Sequence, residues 1–248
     1  MWLIIGRREE NINYPSNIIS IKGFLETSFL DWPGKLTSVV FLPSCNFRCP
    51  YCHNHGLVLH PDQYQDIPLD YILKRLREFR GWIDGVCITG GEPTLHSYLP
   101  QLMEFFKREG FLVKLDTNGT NPDALRFLRE RGLLDSVSMD VKSPLNEIQY
   151  SRCAGVPVNL SKVRESIEWL REENLPYELR ITVVPTLIRE EDLYLLAREL
   201  QNSSCLTLQN FNPSDPLDPK LKDVRPYTES DLKIFQERVT KILSSEAN

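Results

Sequence analysis

Thr37-Ser38-Val39-Val40-Phe41-Leu42-Pro43-Ser44-Cys45-Asn46-Phe47-Arg48-Cys49-Pro50-Tyr51-Cys52 runs from an apolar, β-branched strand directly into three cysteines packed within eight residues. α/β folds place their ligands beyond the carboxyl ends of their strands, so a strand that empties into a loop of soft ligands points to that class. Three thiolates at Cys45, Cys49 and Cys52 can hold three irons of a cubane cluster and leave the fourth iron without a protein ligand. An open iron is a place where a small molecule can bind and receive an electron.

Working outward, short β-branched runs alternate with amphipathic segments. Strands are predicted at Thr37–Leu42, Gly85–Thr89, Leu112–Asp116, Ser136–Val141, Leu179–Val184 and Leu206–Asn210. Between them Leu69, Ile72, Leu73, Leu76 and Phe79 share a helical face, as do Leu99, Leu102, Met103 and Phe106. Val163, Ile167 and Leu170 repeat at the same spacing, followed by Leu193, Leu196, Ala197 and Leu200, and by Leu232, Phe235, Val239 and Ile242. Such alternation requires parallel strands joined by crossover helices, in an open doubly wound sheet or in a partial barrel. The pattern alone leaves both open. The Pro-rich stretch 212–226 reads as a long loop placed to cover a site, and residues 1–16 as an N-terminal extension ahead of one domain, 17–248.

Composition narrows the classes. The 248 residues are ample for a real core, 41% are hydrophobic, and the mean hydropathy of -0.31 is that of an ordinary globular protein. No apolar run approaches the roughly 20 residues that span a bilayer. Met1-Trp2-Leu3-Ile4-Ile5 is too short for a signal-peptide core, and Arg7 and Arg8 follow it rather than precede it. A cytoplasmic location is the expectation. With a net charge of -5 and no basic block, neither a nucleic-acid nor a membrane partner is expected. Of the six cysteines, Cys87, Cys153 and Cys205 lie scattered, with Cys87 and Cys205 reading as buried inert thiols. The clustered three read as metal ligands rather than disulfides.

After the second predicted strand comes Thr89-Gly90-Gly91-Glu92-Pro93-Thr94, where paired glycines expose the backbone beside a carboxylate. Lys114-Leu115-Asp116-Thr117-Asn118-Gly119 and Ser138-Met139-Asp140-Val141-Lys142 put further carboxylates at strand ends. Taken alone, these are also what turns and helix caps use.

The Cys45–Cys49–Cys52 spacing, with an aromatic residue just before the last cysteine, resembles the radical S-adenosylmethionine (SAM) superfamily. With Ser28-Phe29-Leu30-Asp31-Trp32-Pro33-Gly34 and Cys52-His53-Asn54, most of residues 20–243 resembles activating proteins of anaerobic ribonucleoside-triphosphate reductase; pyruvate formate-lyase activating enzymes are close cousins. The resemblance implies a partial (β/α)6 TIM-type barrel and a 4Fe–4S cluster on the three cysteines. It implies SAM contacts at Tyr51, Gly90, Gly91, Glu92, Asp116, Thr117, Asp140, Lys142 and Arg180, with Asn46 and Phe47 near the cluster. A monovalent cation held by Asp116, Thr117 and Asp140, and a substrate-loop contact at Asp31, follow from it too. So do a glycyl-radical partner and an electron donor such as flavodoxin or ferredoxin. Trp32 departs from the formate-lyase activases, which usually have Gly there, and no ferredoxin-like cysteine sets follow the triplet. Two other readings stand beside this one: a zinc site using His53 or His55 as fourth ligand, and radical SAM chemistry on a small deazapurine precursor.

Overall fold

The computed structural model describes residues 19–245. The extension expected at residues 1–16 lies outside the described residues. Seven strands form one sheet in the order of the chain: β1 (Gly23–Ser28), β2 (Thr37–Leu42), β3 (Gly85–Gly90), β4 (Leu112–Thr117), β5 (Ser136–Asp140), β6 (Tyr177–Val183) and β7 (Leu206–Asn210). β2 to β7 are parallel, while β1 pairs antiparallel with β2, Phe24 opposite Val40. The helices are α1 (His55–Leu59), α2 (Leu69–Glu78), α3 (Leu99–Arg108), α4 (Pro122–Glu130), α5 (Glu147–Ala154), α6 (Leu160–Glu172), α7 (Glu190–Glu199) and α8 (Glu229–Ser244).

Strand order settles which α/β architecture this is. A doubly wound sheet reverses its order at a switch point; here each parallel strand is laid beside its predecessor, so right-handed crossovers put the connecting helices on one face. Among the described residues the sheet is a partial barrel, open because β1 and β7 are not paired. The expected count of six strands rises to seven with β1, which was not foreseen. Gly23-Phe24-Leu25-Glu26-Thr27-Ser28 is too short and mixed to give a strong period-2 signal, and an antiparallel edge needs no crossover helix.

Alternation along each strand sorts the two faces. Val40, Leu42, Val86, Ile88, Val113, Leu115, Val137, Met139, Leu179 and Ile181 point outward into one continuous core with the helices. Each such aliphatic side chain contributes about 1.5–3 kcal/mol on burial. The concave face differs. Near the β2 and β3 end it is apolar, with Trp32, Val39 and Cys87 in a small separate cluster. The Trp32 ring lies against Gly85, where an added Cβ would stand 3.0 Å from it. Trp32 therefore fills the floor of the half-barrel. Across β4, β5 and β6 the same face carries Lys114, Asp116, Ser138, Asp140 and Arg180.

Candidate active site at the strand ends

A cavity of about 470 Å³ opens at the C-terminal ends of the parallel strands, a volume typical of small-molecule sites. Cys45, Cys49 and Cys52 line it, with Tyr51, Gly90, Gly91, Glu92, Asp116, Thr117, Asp140 and Lys142. Of the residues expected to touch SAM, all but Arg180 are thus brought together.

The cysteine loop is held by backbone bracing. Ser44, just ahead of Cys45, adopts a left-handed conformation (φ 61°). Its amide donates to Leu57 O at 3.0 Å, while its carbonyl accepts from the Glu92 amide at 2.8 Å. Arg48 donates its amide to Ala154 O at 2.8 Å and its guanidinium to Cys45 O and Phe47 O at 2.6 and 2.7 Å, so the end of α5 clamps the loop. Asp218 N donates to Pro50 O at 2.7 Å, and His53 and His55 meet Asn212 O and Asp215 at 2.7 and 3.2 Å. The loop after β7 therefore docks on the cysteine loop, as the Pro-rich stretch suggested.

Gly90 and Gly91 have a role the sequence reading did not assign. A Cβ on Gly91 would stand 1.7 Å from Ser44 O, and one on Gly90 2.4 Å from Leu42 O. The missing side chains face the approach to the cysteine loop, letting the end of β3 lie against it. The Gly90 carbonyl accepts from Asn54 Nδ2 at 2.8 Å. Glu92 is buried, and its carboxylate accepts from Thr94 N and Oγ1, Thr117 Oγ1 and Asn118 N at 2.5–3.1 Å. Burial pushes its pKa up, and these donors pull against that.

Burial favours the neutral form of the thiols. Burial raises Cys45 to about 11 and shifts Cys49 and Cys52 in the same direction. A cationic metal reverses that preference, because thiolates are its ligands. Among the described residues no three His, Cys, Asp or Glu side chains converge as one metal ion requires. Zinc draws four donors to about 2.0–2.3 Å, whereas a cubane takes one thiolate per corner. His53 Nε2 and His55 Nε2 are turned to the 212–215 segment, which leaves a zinc ion only their Nδ1 atoms. The Tyr51 hydroxyl, on a residue lining the cavity, is buried without a hydrogen-bond partner, a polar group left for a ligand to satisfy.

The opposite wall is ionic. Lys114 Nζ lies 2.5 Å from Asp116 Oδ1, and Arg180 Nη2 3.2 Å from Asp116 Oδ2. Arg180 Nε donates to Asp140 Oδ1 at 3.0 Å, and Lys142 Nζ to Asp140 Oδ2 at 3.2 Å. Burial pushes the Asp140 carboxyl up, but Lys142 and Arg180 more than offset it and hold it down to about 2. Burial favours loss of the Lys142 proton, yet Asp140 keeps it well above the usual lysine range. Arg180 is not among the residues lining the cavity; it ties the Asp116 and Asp140 carboxylates together. Asp31 also lies outside the lining. Its carboxylate accepts from Ser28 Oγ, and its carbonyl accepts from Cys87 Sγ at 3.6 Å, beside Trp32 on the floor of the half-barrel.

Several residues at the site escaped the sequence reading. Asn118 Nδ2 donates to Asn46 Oδ1 at 2.8 Å and lies 3.9 Å from Cys45 Sγ, and Thr120 Oγ1 accepts from Asn46 at 2.9 Å. His96 Nε2 meets Pro43 O at 2.8 Å. Asn118 follows β4 directly, a strand-end position that marked it; His96 gave no such signal. Cys87 and Cys153 are buried as inert thiols should be, while Cys205 is partly exposed.

Residues 39–202 match the radical SAM superfamily. A Methanocaldococcus jannaschii protein provisionally named a glycyl-radical enzyme activating enzyme is 31% identical over 86% of this chain and 88% of its own. The pyruvate formate-lyase-activating enzyme of Streptococcus mutans is 28% identical over 67% of this chain and 66% of its own. The fold resembles Streptococcus suis SuiB bound to precursor peptide SuiA, with a TM-score of 0.61 at 15% identity over 83% of this chain; the chain spans 45% of SuiB.

Proposed function

The chain belongs to the radical SAM superfamily, and we propose that it is a glycyl-radical enzyme activase whose partner is anaerobic ribonucleoside-triphosphate reductase. The observation that carries the reading is three thiols on one cavity, with the neighbouring imidazoles tied elsewhere, so that a cluster held there keeps one corner for a ligand. When bound, a 4Fe–4S cluster on Cys45, Cys49 and Cys52 supplies one electron to the sulfonium of SAM, giving methionine and a 5′-deoxyadenosyl radical.

The chain's own residues do the positioning. Lys142 lines the cavity with its ammonium held by Asp140, a fixed positive charge suited to the SAM carboxylate. Glu92, locked by four hydrogen bonds, and the Asn54–Gly90 contact fix the end of β3, which would hold the methionyl part of SAM. Phe47 and Tyr51, both buried, shield the thiol side from water. Gln209, Asn210 and Phe211 also line the cavity and would frame the adenine. Such fixing replaces the encounter that free SAM and a free reductant would need.

A polypeptide substrate is supported by the unpaired edges of β1 and β7, which leave the half-barrel open laterally. A glycine loop entering there would place its α-carbon within reach of the 5′-deoxyadenosyl radical, which would take the α-hydrogen to become 5′-deoxyadenosine and leave a glycyl radical stabilised by its flanking amides. Flavodoxin or ferredoxin would serve as electron donor. The test is electron paramagnetic resonance of a candidate reductase incubated anoxically with this protein, SAM and reductant. A glycine-centred doublet is expected. No doublet, with conversion of a small deazapurine precursor instead, would overturn the activase reading.

A further inference from the structure

A lysine on an interior strand position, 1% exposed, is costly unless something compensates it. Lys114 sits in the middle of the sheet with Cys87 and Ser136 as its register neighbours, neither of them acidic. Its partner is Asp116, two residues along β4, at 2.5 Å. From there the pairs continue through Arg180 and Asp140 to Lys142, so that each of the four carboxylate oxygens is met by a protein cation at 2.5–3.2 Å. Thr117 Oγ1, the third expected oxygen donor, donates to Glu92 at 2.8 Å and accepts from Gly119 N at 3.1 Å. The oxygens expected to hold a monovalent cation therefore each already face a protein partner, and a further cation there would meet three protein cations.

We propose that the Lys114 ammonium stands in for that ion: it is a built-in counter-charge which lets Asp116 and Arg180 position Asp140 and Lys142 toward SAM without any alkali metal. Glu178, two residues before Arg180 on the same face of β6, adds a third carboxylate beside the guanidinium, so three cations balance three carboxylates and Lys142 presents its ammonium to the cavity. Lys114 is a positioning residue, acting through Asp116 from beneath the cavity. The inference rests on the SAM reading for its ligand arm only.

The test compares the full chain in potassium, sodium and tetramethylammonium chloride at equal ionic strength. Wild-type protein is expected to show the same thermal midpoint in all three salts, and reconstituted protein the same Kd for SAM. Lys114→Met removes the charge at near-constant volume. In tetramethylammonium chloride its midpoint is expected to fall and its SAM affinity to weaken about tenfold, the effect of losing one paired charge; potassium is expected to restore both. Lys114→Met/Asp116→Asn, which deletes both charges and guards against misfolding of the single variant, is expected to be indifferent to the salt. A potassium-dependent midpoint in wild type, a single variant as indifferent as wild type, or a salt-sensitive double variant overturns the proposal. The midpoints need no SAM, so protein that binds no SAM at all breaks the functional reading while the salt series still judges this one.

Discussion

On the β2–β3 side of the cavity the chain supplies three neutral thiols on a loop braced by backbone hydrogen bonds; on the β4–β6 side it supplies five charged side chains already paired with one another. The first wall is chemically incomplete, since burial keeps its thiols protonated until a metal displaces the protons. The second is electrostatically complete before any ligand arrives. The difference separates two tasks: one wall must accept a foreign group, and the other must not move when it does.

The comparison breaks most visibly at the thiols. Cys49→Ala is expected to abolish release of 5′-deoxyadenosine while leaving the midpoint of thermal unfolding nearly unchanged; full retention of cleavage would contradict the ligand assignment. Gly91→Ala comes next. A methyl group driven toward Ser44 O is expected to destabilise the fold by about 1–3 kcal/mol or more and to lower iron content after reconstitution, read by denaturant unfolding and iron assay. Unaltered stability and loading would mean that the β3 end does not brace the loop.

Substitutions on the charged wall sort the other way. Asp140→Ala is expected to leave iron content alone and weaken SAM binding by about tenfold or more, measured by equilibrium binding to reconstituted protein; a larger loss of iron than of SAM affinity would merge the two walls. Protonation gives a milder test. Because the folded Asp140 carboxyl sits at about 2, below the ordinary value of about 3.9, its pairing adds stability at higher pH. That contribution fades as pH falls from about 4 toward 2. The difference in thermal midpoint between wild type and Asp140→Asn should shrink across that window. Smallest is Asn118→Ala, which removes an N–H donor near Cys45 Sγ; a slightly more negative cluster potential with cleavage retained is expected from a redox titration.

How much of this was legible depends on what carried the information. β2 and β7 were placed to the residue because their apolar runs have clear boundaries, and the three cysteines announce their chemistry by spacing. β1 was missed because it is an antiparallel edge with no crossover helix to mark it. The open-barrel architecture lies in strand order, which local periodicity does not encode. Arg180 and Lys114 show the limit at the site itself. Both lie on interior positions, but whether such a side chain meets a ligand or a neighbouring carboxylate depends on register across β4, β5 and β6. Gly91 was read as room for a ligand; the nearest atom to its absent Cβ is the chain's own Ser44 carbonyl.

The most direct measurement is of the vacant corner. Protein reconstituted anoxically with iron and sulfide, then given SAM and a strong reductant, is expected to release 5′-deoxyadenosine and methionine in proportion to its iron content. Full iron loading with neither product formed, or equal release from iron-free protein, would contradict the account.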